Sequence, residues 1–378
     1  MTPEQVATPE QATTPEQATR RISSVAVIGA GYMGGGIAQS LAVNGVDVVI
    51  ADRDPELTAR SFARLVAETE TLVTQGLFPA GSVEQLQAHL RTADSIVEAV
   101  ADVDFIEEVV FEDVGVKHAV LAEISRAARA DAIIGSNTST IPVHVLEEAV
   151  TGPERFLIVH WSNPAPFIPG VEIVSGQRTD SSLVPVVLEL LARAQHSGAE
   201  VADTPGFVLN RLQYALLKEA TAIVEEGIAT PRGVDTIVST TFGFRLPFFG
   251  PFAIADMAGL DVYGMSFQTF SDAFGERFAP PRVLTEQVDA GRHGFKTGAG
   301  FTGEHTAEEM QRVVAYRSEA YSRLSQLLIE LGPSGIWGES TEAAVTADHE
   351  VDGAPLASST AKDPRPTGGS AETRGNAS

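Results

Sequence analysis

His160, Glu172, Ser139 and Asn210 are the residues whose types could move a proton at a ligand oxygen. A histidine is the natural proton acceptor near neutral pH, and a carboxylate on its other ring nitrogen fixes the tautomer and raises its basicity. His160 ends the apolar run Phe156 to His160, and Glu172 lies at the start of the run Val171 to Val174. Pro164, Pro166 and Pro169 stiffen the connection between the runs, so the two side chains can be held facing each other. Ser139 follows a third apolar run, Ala132 to Gly135. Asn210 sits just inside a long helical pattern after Pro205-Gly206-Phe207, where its amide can donate to a carbonyl. Taken singly, each has a plain structural reading. His160 alone reads first as a hydrogen-bonded core histidine, Glu172 as strand decoration, Ser139 as a turn or N-cap residue and Asn210 as a helix cap. Spacing does not decide between the two sets.

The elements that would position them begin with Val25-Ala26-Val27-Ile28, an apolar run with the character of a buried strand. Gly29, Gly31 and Gly34 follow in G-x-G-x-x-G spacing, with Tyr32 and Met33 between, and then the helix-like run Ile37 to Val43. Gly29 permits the tight turn, Gly31 lets backbone amides approach a pyrophosphate, and Gly34 allows helix and strand to pack closely. Alone the motif reads equally well as a glycine-rich turn. A second strand, Val46 to Ala51, ends at Asp52, 23 residues after Gly29, where a carboxylate would accept hydrogen bonds from ribose hydroxyls. Together they predict a dinucleotide site. Asp52 would repel a 2′-phosphate, which favours NAD, while Arg53 beside it keeps NADP open.

Strand and helix patterns alternate from residue 21 to 202, which predicts a Rossmann-type, doubly wound, largely parallel α/β sheet. The expected helices include Pro55 to Gln75, about Val114 to Ala130, and Ser181 to Gln195; a strand is expected over Asp104 to Val110. From Asp203-Thr204-Pro205-Gly206 the pattern turns helical, with expected helices Val208 to Glu226, Arg232 to Thr240, Ala253 to Met257, Asp261 to Phe274 and about Ala307 to Leu331. An all-α domain is therefore placed at 203–338. Residues 1–20 repeat Thr-Pro-Glu-Gln from Thr2, Thr8 and Thr14 and cannot bury enough to offset chain entropy; they and the 339–378 tail are predicted disordered.

Composition narrows the function. A net charge of −24, with 26 Lys and Arg against 50 Asp and Glu, argues against nucleic acid and anionic membrane partners. No apolar run reaches bilayer length and no basic-then-apolar leader is present, so a cytoplasmic location is expected. With no cysteine, disulfides, thiolate chemistry and cysteine-ligated metals are excluded, and no metal is expected.

The separated motifs Val27-Ile28-Gly29-Ala30-Gly31-Tyr32-Met33-Gly34, Asn137-Thr138-Ser139, His160 with Asn163-Pro164, Val171-Glu172-Ile173-Val174, Asp203 to Arg211, Gly250-Pro251-Phe252 with Asp256, and Gly291 to Phe301 stand in one order. Over roughly residues 22–302 the sequence resembles the L-3-hydroxyacyl-CoA dehydrogenase family. The resemblance implies a reversible, NAD-dependent oxidation of the 3-hydroxyl of an L-3-hydroxyacyl-CoA to the 3-oxoacyl-CoA. It makes His160 the catalytic base, Glu172 its partner, and Ser139 and Asn210 the residues that bind the substrate oxygen. Cofactor contacts are implied for Gly29, Gly31, Tyr32, Met33, Gly34, Asp52 and Asn137, with Glu112 and Lys117 near the nicotinamide end. It also implies a homodimer formed through the helical domain.

Two departures from the family pattern bear on the substrate. The family commonly carries two aromatics after the histidine and a basic residue shortly before the glutamate. This chain reads His160-Trp161-Ser162-Asn163-Pro164-Ala165-Pro166-Phe167-Ile168-Pro169-Gly170-Val171-Glu172. The helix from Pro55, which in acyl-CoA members tends to offer basic groups, ends here in Ala67-Glu68-Thr69-Glu70-Thr71-Leu72-Val73-Thr74-Gln75, an acidic face and a poor partner for a phosphate. The resemblance therefore also admits a dehydrogenase of free or otherwise carried 3-hydroxy acids, like carnitine and gulonate dehydrogenases. A third reading is a structural relative without turnover, as in lens λ-crystallin-like proteins.

Overall fold

The computed structural model describes residues 20–338; the Thr-Pro-Glu-Gln extension and the 339–378 tail expected to be disordered lie outside the described residues, apart from Arg20. Eight strands form one sheet: β1 (Ser24–Ile28), β2 (Asp47–Ala51), β3 (Leu90–Thr92), β4 (Phe105–Glu108), β5 (Ile133–Ser136), β6 (Phe156–Trp161), β7 (Gly170–Ser175) and β8 (Ser197–Ala202). Their order is β3-β2-β1-β4-β5-β6-β7-β8. The order reverses at β1, whose neighbours are β2 and β4, and that reversal opens the crevice in which open α/β sheets bind ligands.

Side-chain alternation gives the sheet two apolar faces. Val25 and Val27 point into one core with Ile37 and Leu41 of α1 (Tyr32–Val43), Leu65 of α2 (Pro55–Thr74) and Leu86 of α3 (Ser82–His89). Ala26 and Ile28 point into the other, with Val100 of α4 (Ile96–Val100), Leu121 of α5 (Val114–Ala127) and Leu146 of α6 (Val143–Leu146). A sheet buried on both faces explains the near-continuous apolar runs that made these strands readable. Among the described strand pairs of this sheet, β6–β7 is antiparallel and the rest are parallel. The Ser162 to Pro169 connection is too short for the crossover a parallel pair needs, so the chain must turn back on itself.

Local chemistry sets several boundaries. The Asp54 side chain caps α2 through the Glu56 amide with Pro55 in the first turn, and Asp113 caps α5 through the Val116 amide. After α7 (Leu183–Arg193) and β8 come α8 (Leu209–Glu225), α9 (Pro231–Thr240), α10 (Phe242–Arg245), α11 (Pro251–Ala258), α12 (Leu260–Phe274), α13 (Arg282–Asp289) and α14 (Ala307–Leu331), with a small hairpin of β9 (Ala299–Gly300) and β10 (Gly303–Glu304). The helices α3 and α13 lie where the sequence reading placed none. Both are eight residues long, too short to print a clear period.

The chain divides into two compact units after Ala222, within α8, whereas the change of sequence pattern places the boundary ahead of that helix, at 203. The second unit has a small core of Ala255, Leu260 and Leu284 with Tyr263, Phe267 and Phe301 packed around it. Its hairpin is held by fully buried Asp256, whose carboxylate accepts from the Phe301 amide (3.0 Å), the Thr302 amide (2.7 Å) and the Thr302 hydroxyl (2.6 Å). A side chain on Gly300 would strike this carboxylate, since its Cβ would fall 2.2 Å from Oδ1. Replacing Asp256 with Ala leaves three donors without an acceptor. It should destabilise the protein by about 2–3 kcal/mol in a denaturant melt, with the loss reported from the second unit.

Candidate active site

The glycine loop sits at the reversal of strand order. Gly29 adopts φ +116°, and a Cβ there would lie 2.5 Å from the Val109 carbonyl oxygen; a Cβ on Gly34 would lie 1.8 Å from the Gly29 carbonyl oxygen. Both positions therefore demand glycine for packing. Gly31 differs, because a Cβ there would meet nothing within 4 Å. Its missing side chain keeps open space in front of the α1 N-terminus, where no side chain caps the first turn. Free amides and the positive dipole end facing such a space suit a pyrophosphate. Asp52, half-buried at the end of β2, accepts from the Ala30 amide (2.9 Å) and the Asp54 amide (3.3 Å), and its carboxylate retains acceptor capacity for hydroxyls. Tyr32 is exposed and Met33 packs against the core below it. These residues fit a dinucleotide.

His160 and Glu172 are direct cross-strand partners in the antiparallel β6–β7 pair, and the pairing brings His160 Nδ1 to 2.8 Å from Glu172 Oε2. Both side chains are buried. The carboxylate is anchored at its other oxygen: Glu172 Oε1 accepts from the amides of Val208 and Leu209, each at 2.8 Å. Burial pushes the Glu172 carboxyl up, but hydrogen bonds from His160 and from the Leu209 and Val208 amides outweigh it and hold it below the ordinary carboxylate range. Those amides converge because Gly206 (φ +76°) and Phe207 (φ +48°) take successive left-handed conformations ahead of α8. A phenylalanine there is strained, and it is held by burial, with its ring centroid 5.7 Å from that of His160. Phe207 was not picked out from the sequence. The signal was its place after Pro205-Gly206, where a glycine in φ > 0 forces the next residue to carry the turn.

Ser139 and Asn210 come together: the Asn210 amide Nδ2 donates to the Ser139 carbonyl at 3.1 Å. The loop carrying Ser139 is tied down by Glu112, whose Oε1 accepts from the Thr138 hydroxyl (2.7 Å), the Ser139 amide (2.9 Å), the Thr140 amide (3.1 Å) and the Thr140 hydroxyl (3.2 Å). Burial raises the Glu112 carboxyl, while the Thr138 hydrogen bond, the Lys117 charge and the Ser139 and Thr140 amides bring it below its usual range. Asn137 bridges two strand ends, its amide donating to the Glu108 carbonyl (2.8 Å) and its Oδ1 accepting from the Trp161 amide (2.8 Å).

Lys117, expected near the nicotinamide end with Glu112, lies buried beside that glutamate. It is 1% exposed, and its ammonium donates to Glu108 Oε1 (3.0 Å), Glu108 Oε2 (3.2 Å) and the Val110 carbonyl (3.3 Å), with Glu112 Oε2 at 3.5 Å. Its reach toward the loop of Ser139 runs through Glu112. Fully buried Glu108 also accepts from the Ser136 hydroxyl (2.6 Å) and the Val110 amide (2.7 Å), so this pair is satisfied on every side.

A strand, glycine loop and helix at the strand-order reversal, an acid ending the second strand and a histidine–carboxylate pair in the same sheet define a dinucleotide-dependent oxidoreductase. Residues 24–204 match the model of the 3-hydroxyacyl-CoA dehydrogenase NAD-binding domain, and residues 206–304 match that of the C-terminal domain. The chain belongs to the 3-hydroxyacyl-CoA dehydrogenase family, whose cofactor is NAD and whose chemistry acts on CH–OH groups.

Among its relatives, 5-formyl-3-hydroxy-2-methylpyridine 4-carboxylate 5-dehydrogenase of Mesorhizobium japonicum is 36% identical over 307 residues, 78% of this chain and 97% of that protein. A probable 3-hydroxybutyryl-CoA dehydrogenase of Deinococcus radiodurans is 32% identical over 276 residues, 73% of this chain and 98% of that protein. The crystal structure of a 3-hydroxyacyl-CoA dehydrogenase from Archaeoglobus fulgidus matches with a TM-score of 0.67 at 33% identity, covering 82% of this chain and 99% of that one.

The sign of the Glu172 effect gives a pH window. Because its folded value lies below the ordinary 4.5, its contribution to stability is complete above that value and is lost as pH falls through the folded one. In circular-dichroism unfolding, wild type should therefore exceed Glu172→Gln in stability most clearly near neutrality, with the gap closing below pH 4.5. A gap independent of pH would show that the carboxyl titrates alike in the folded and unfolded states, and a gap that closes as pH rises would show that it is neutral in the folded one.

Proposed function

We propose that this protein is an NAD-dependent dehydrogenase that reversibly oxidises the hydroxyl of a 3-hydroxyacyl substrate to the 3-oxo product, with His160 as the base. The observation that carries the reading is the 2.8 Å His160–Glu172 contact, braced by the amides at the start of α8. With Nδ1–H donated to Glu172, Nε2 is the ring nitrogen left to accept a proton. NAD, when bound, supplies the acceptor for the hydride leaving the carbinol carbon. The hydroxyl proton passes to His160 Nε2, and the imidazolium that forms is stabilised by the Glu172 carboxylate 2.8 Å away. Ser139 and Asn210 orient the oxygen that becomes the carbonyl, in a loop whose geometry Glu112 fixes. Gly29, Gly31, Gly34 and Asp52 hold the cofactor, and Asn137 sets the spacing between the strand ends beside it.

The carrier of the acyl group is open between two classes. The family and the 3-hydroxybutyryl-CoA dehydrogenase relative support an L-3-hydroxyacyl-CoA. The acidic end of α2 and the pyridine-carboxylate dehydrogenase relative support a free acid. Replacing His160 with Ala should lower kcat by about 10²- to 10⁴-fold while leaving NADH binding, read by fluorescence titration, close to wild type. Equal turnover by both proteins would remove His160 from the mechanism.

We also infer that the protein works as a homodimer through its helical part. Support comes from α8, which buries none of its residues although Leu212, Leu216 and Leu217 lie along it, and from exposed Ile237, Met265 and Phe274 in the second unit. Light scattering at micromolar concentration should give twice the 39.9 kDa chain mass. A monomeric mass would leave those apolar side chains without a partner and refute the assembly.

A further inference from the structure

Between α1, α2 and the loop after β6 lies a recess of about 400 Å³, lined by Tyr32 and Met33 from the glycine loop, by Leu72 from α2, and by Pro166 and Phe167. We propose that this recess receives the uncharged, ring-bearing body of a free hydroxy acid, and that α2 selects against substrates carried on a phosphorylated nucleotide. The proposal rests on the dehydrogenase reading above and names the substrate class for it.

Charge decides first. Among the described residues the one cation lining the recess is Arg64, and it is paired: Nη1 donates to Glu68 Oε1 (3.0 Å) and Oε2 (3.1 Å), and Nη2 donates to the Ser61 hydroxyl (3.2 Å). The guanidinium is also lodged against α1, since a Cβ on Gly35 would fall 2.5 Å from Arg64 Nη2. The lining is therefore neutral as a whole. Nη1 is shared between both Glu68 oxygens and Nη2 is turned toward Ser61, so the positive charge in the lining is cancelled by the carboxylate beside it.

Helix polarity points the same way. The recess runs along the C-terminal half of α2, the negative end of its dipole, and the last turn of α2 carries no basic residue. Nor do the hydroxyls there supply donors: Thr71 gives its proton to the Ala67 carbonyl (2.9 Å) and Thr74 to the Glu70 carbonyl (2.8 Å). A nucleotide tail bearing several negative charges would meet Glu68 and a carbonyl-rich helix end. It would gain no compensating ion pair from α2.

Shape favours a ring. Tyr32 and Phe167 line the recess with substantial exposure, 64% and 48%, and the Phe78 ring backs Phe167 at 5.8 Å. A volume of about 400 Å³ between aromatic and proline walls suits one ring or a short branched chain.

The test compares binding with turnover on the full chain. Calorimetry in the presence of NADH should show benzoylacetate, a free ring-bearing 3-oxo acid, binding about tenfold tighter than acetoacetyl-CoA. In the oxidative direction, kcat/KM for 3-hydroxy-3-phenylpropanoate should exceed that for 3-hydroxybutyryl-CoA by a similar factor. Replacing Thr71 with Lys, and separately Glu68 with Gln to release Arg64, should tighten acetoacetyl-CoA several-fold and so narrow the preference for benzoylacetate. Tighter binding of acetoacetyl-CoA to the wild-type protein, or no response of acetoacetyl-CoA to either substitution, would overturn the proposal. Absence of turnover on both substrates would count against the dehydrogenase reading alone, because the calorimetric preference judges the recess without it.

Discussion

The interaction on which the rest depends is the three-part contact at Glu172. One oxygen holds the imidazole of His160 from the neighbouring strand, and the other takes two amides from the first turn of α8. The carboxylate thus ties β6 to the start of a helix 36 residues beyond Glu172 itself. Neither half would stand alone. Without the amides a buried carboxylate would tend to protonate, and a neutral carboxyl could not stabilise a charged imidazole. Without His160, the acid would lose the first of the hydrogen bonds that hold it ionised so close to the core. The short, crossover-free turn between β6 and β7 is what makes the pair possible, because only antiparallel register sets residues 160 and 172 opposite each other.

A second layer of buried charge supports the loop beside it. Glu108 and Lys117 form an ion pair with almost no solvent exposure, and Glu112 couples that pair to four donors of the 138–140 loop. The cost of desolvating these groups is offset only because every strong acceptor on Glu108 and Glu112 is engaged. Glu107, next in line on β4, shows the contrast. It faces the opposite side of the sheet with no hydrogen-bond partner on either oxygen, and burial pushes its carboxyl well above the usual range. Gly135 leaves it room, since a Cβ there would approach Glu107 Oε2 to 2.5 Å.

Much of this was legible in the sequence, for identifiable reasons. Buried strands leave unbroken apolar runs, so β1, β2, β6 and β7 could be read within a residue or two. The glycine spacing before α1 is imposed by contacts of 2.5 Å and 1.8 Å that no side chain could satisfy. Lys117 was less readable. Its position in the chain resembles that of a residue at a cofactor, yet the direction of its side chain depends on Glu108, whose role is set by sheet packing. The Phe207 turn and the Glu112 tether escaped for the same reason, each being defined by partners distant in sequence. Short α3 and α13 gave no period to count.

Two helix ends face the crevice with opposite polarity, and this organises what it can hold. The N-terminus of α1 presents uncapped amides beside Gly31 and so attracts phosphate. The C-terminal half of α2 presents carbonyls and acidic side chains, with its one lining cation neutralised by Glu68. A chain with a net charge of −24 has little long-range field with which to draw in a second polyanion. Anion binding is therefore concentrated at one helix end, where geometry rather than net charge provides the attraction. On the other flank, apolar walls are what remain to give affinity, and affinity from such walls rises with buried surface and falls with charge brought along. The same first turn of α1 serves both flanks, its amides beside the open space at Gly31 and its Tyr32 and Met33 side chains in the wall of the recess.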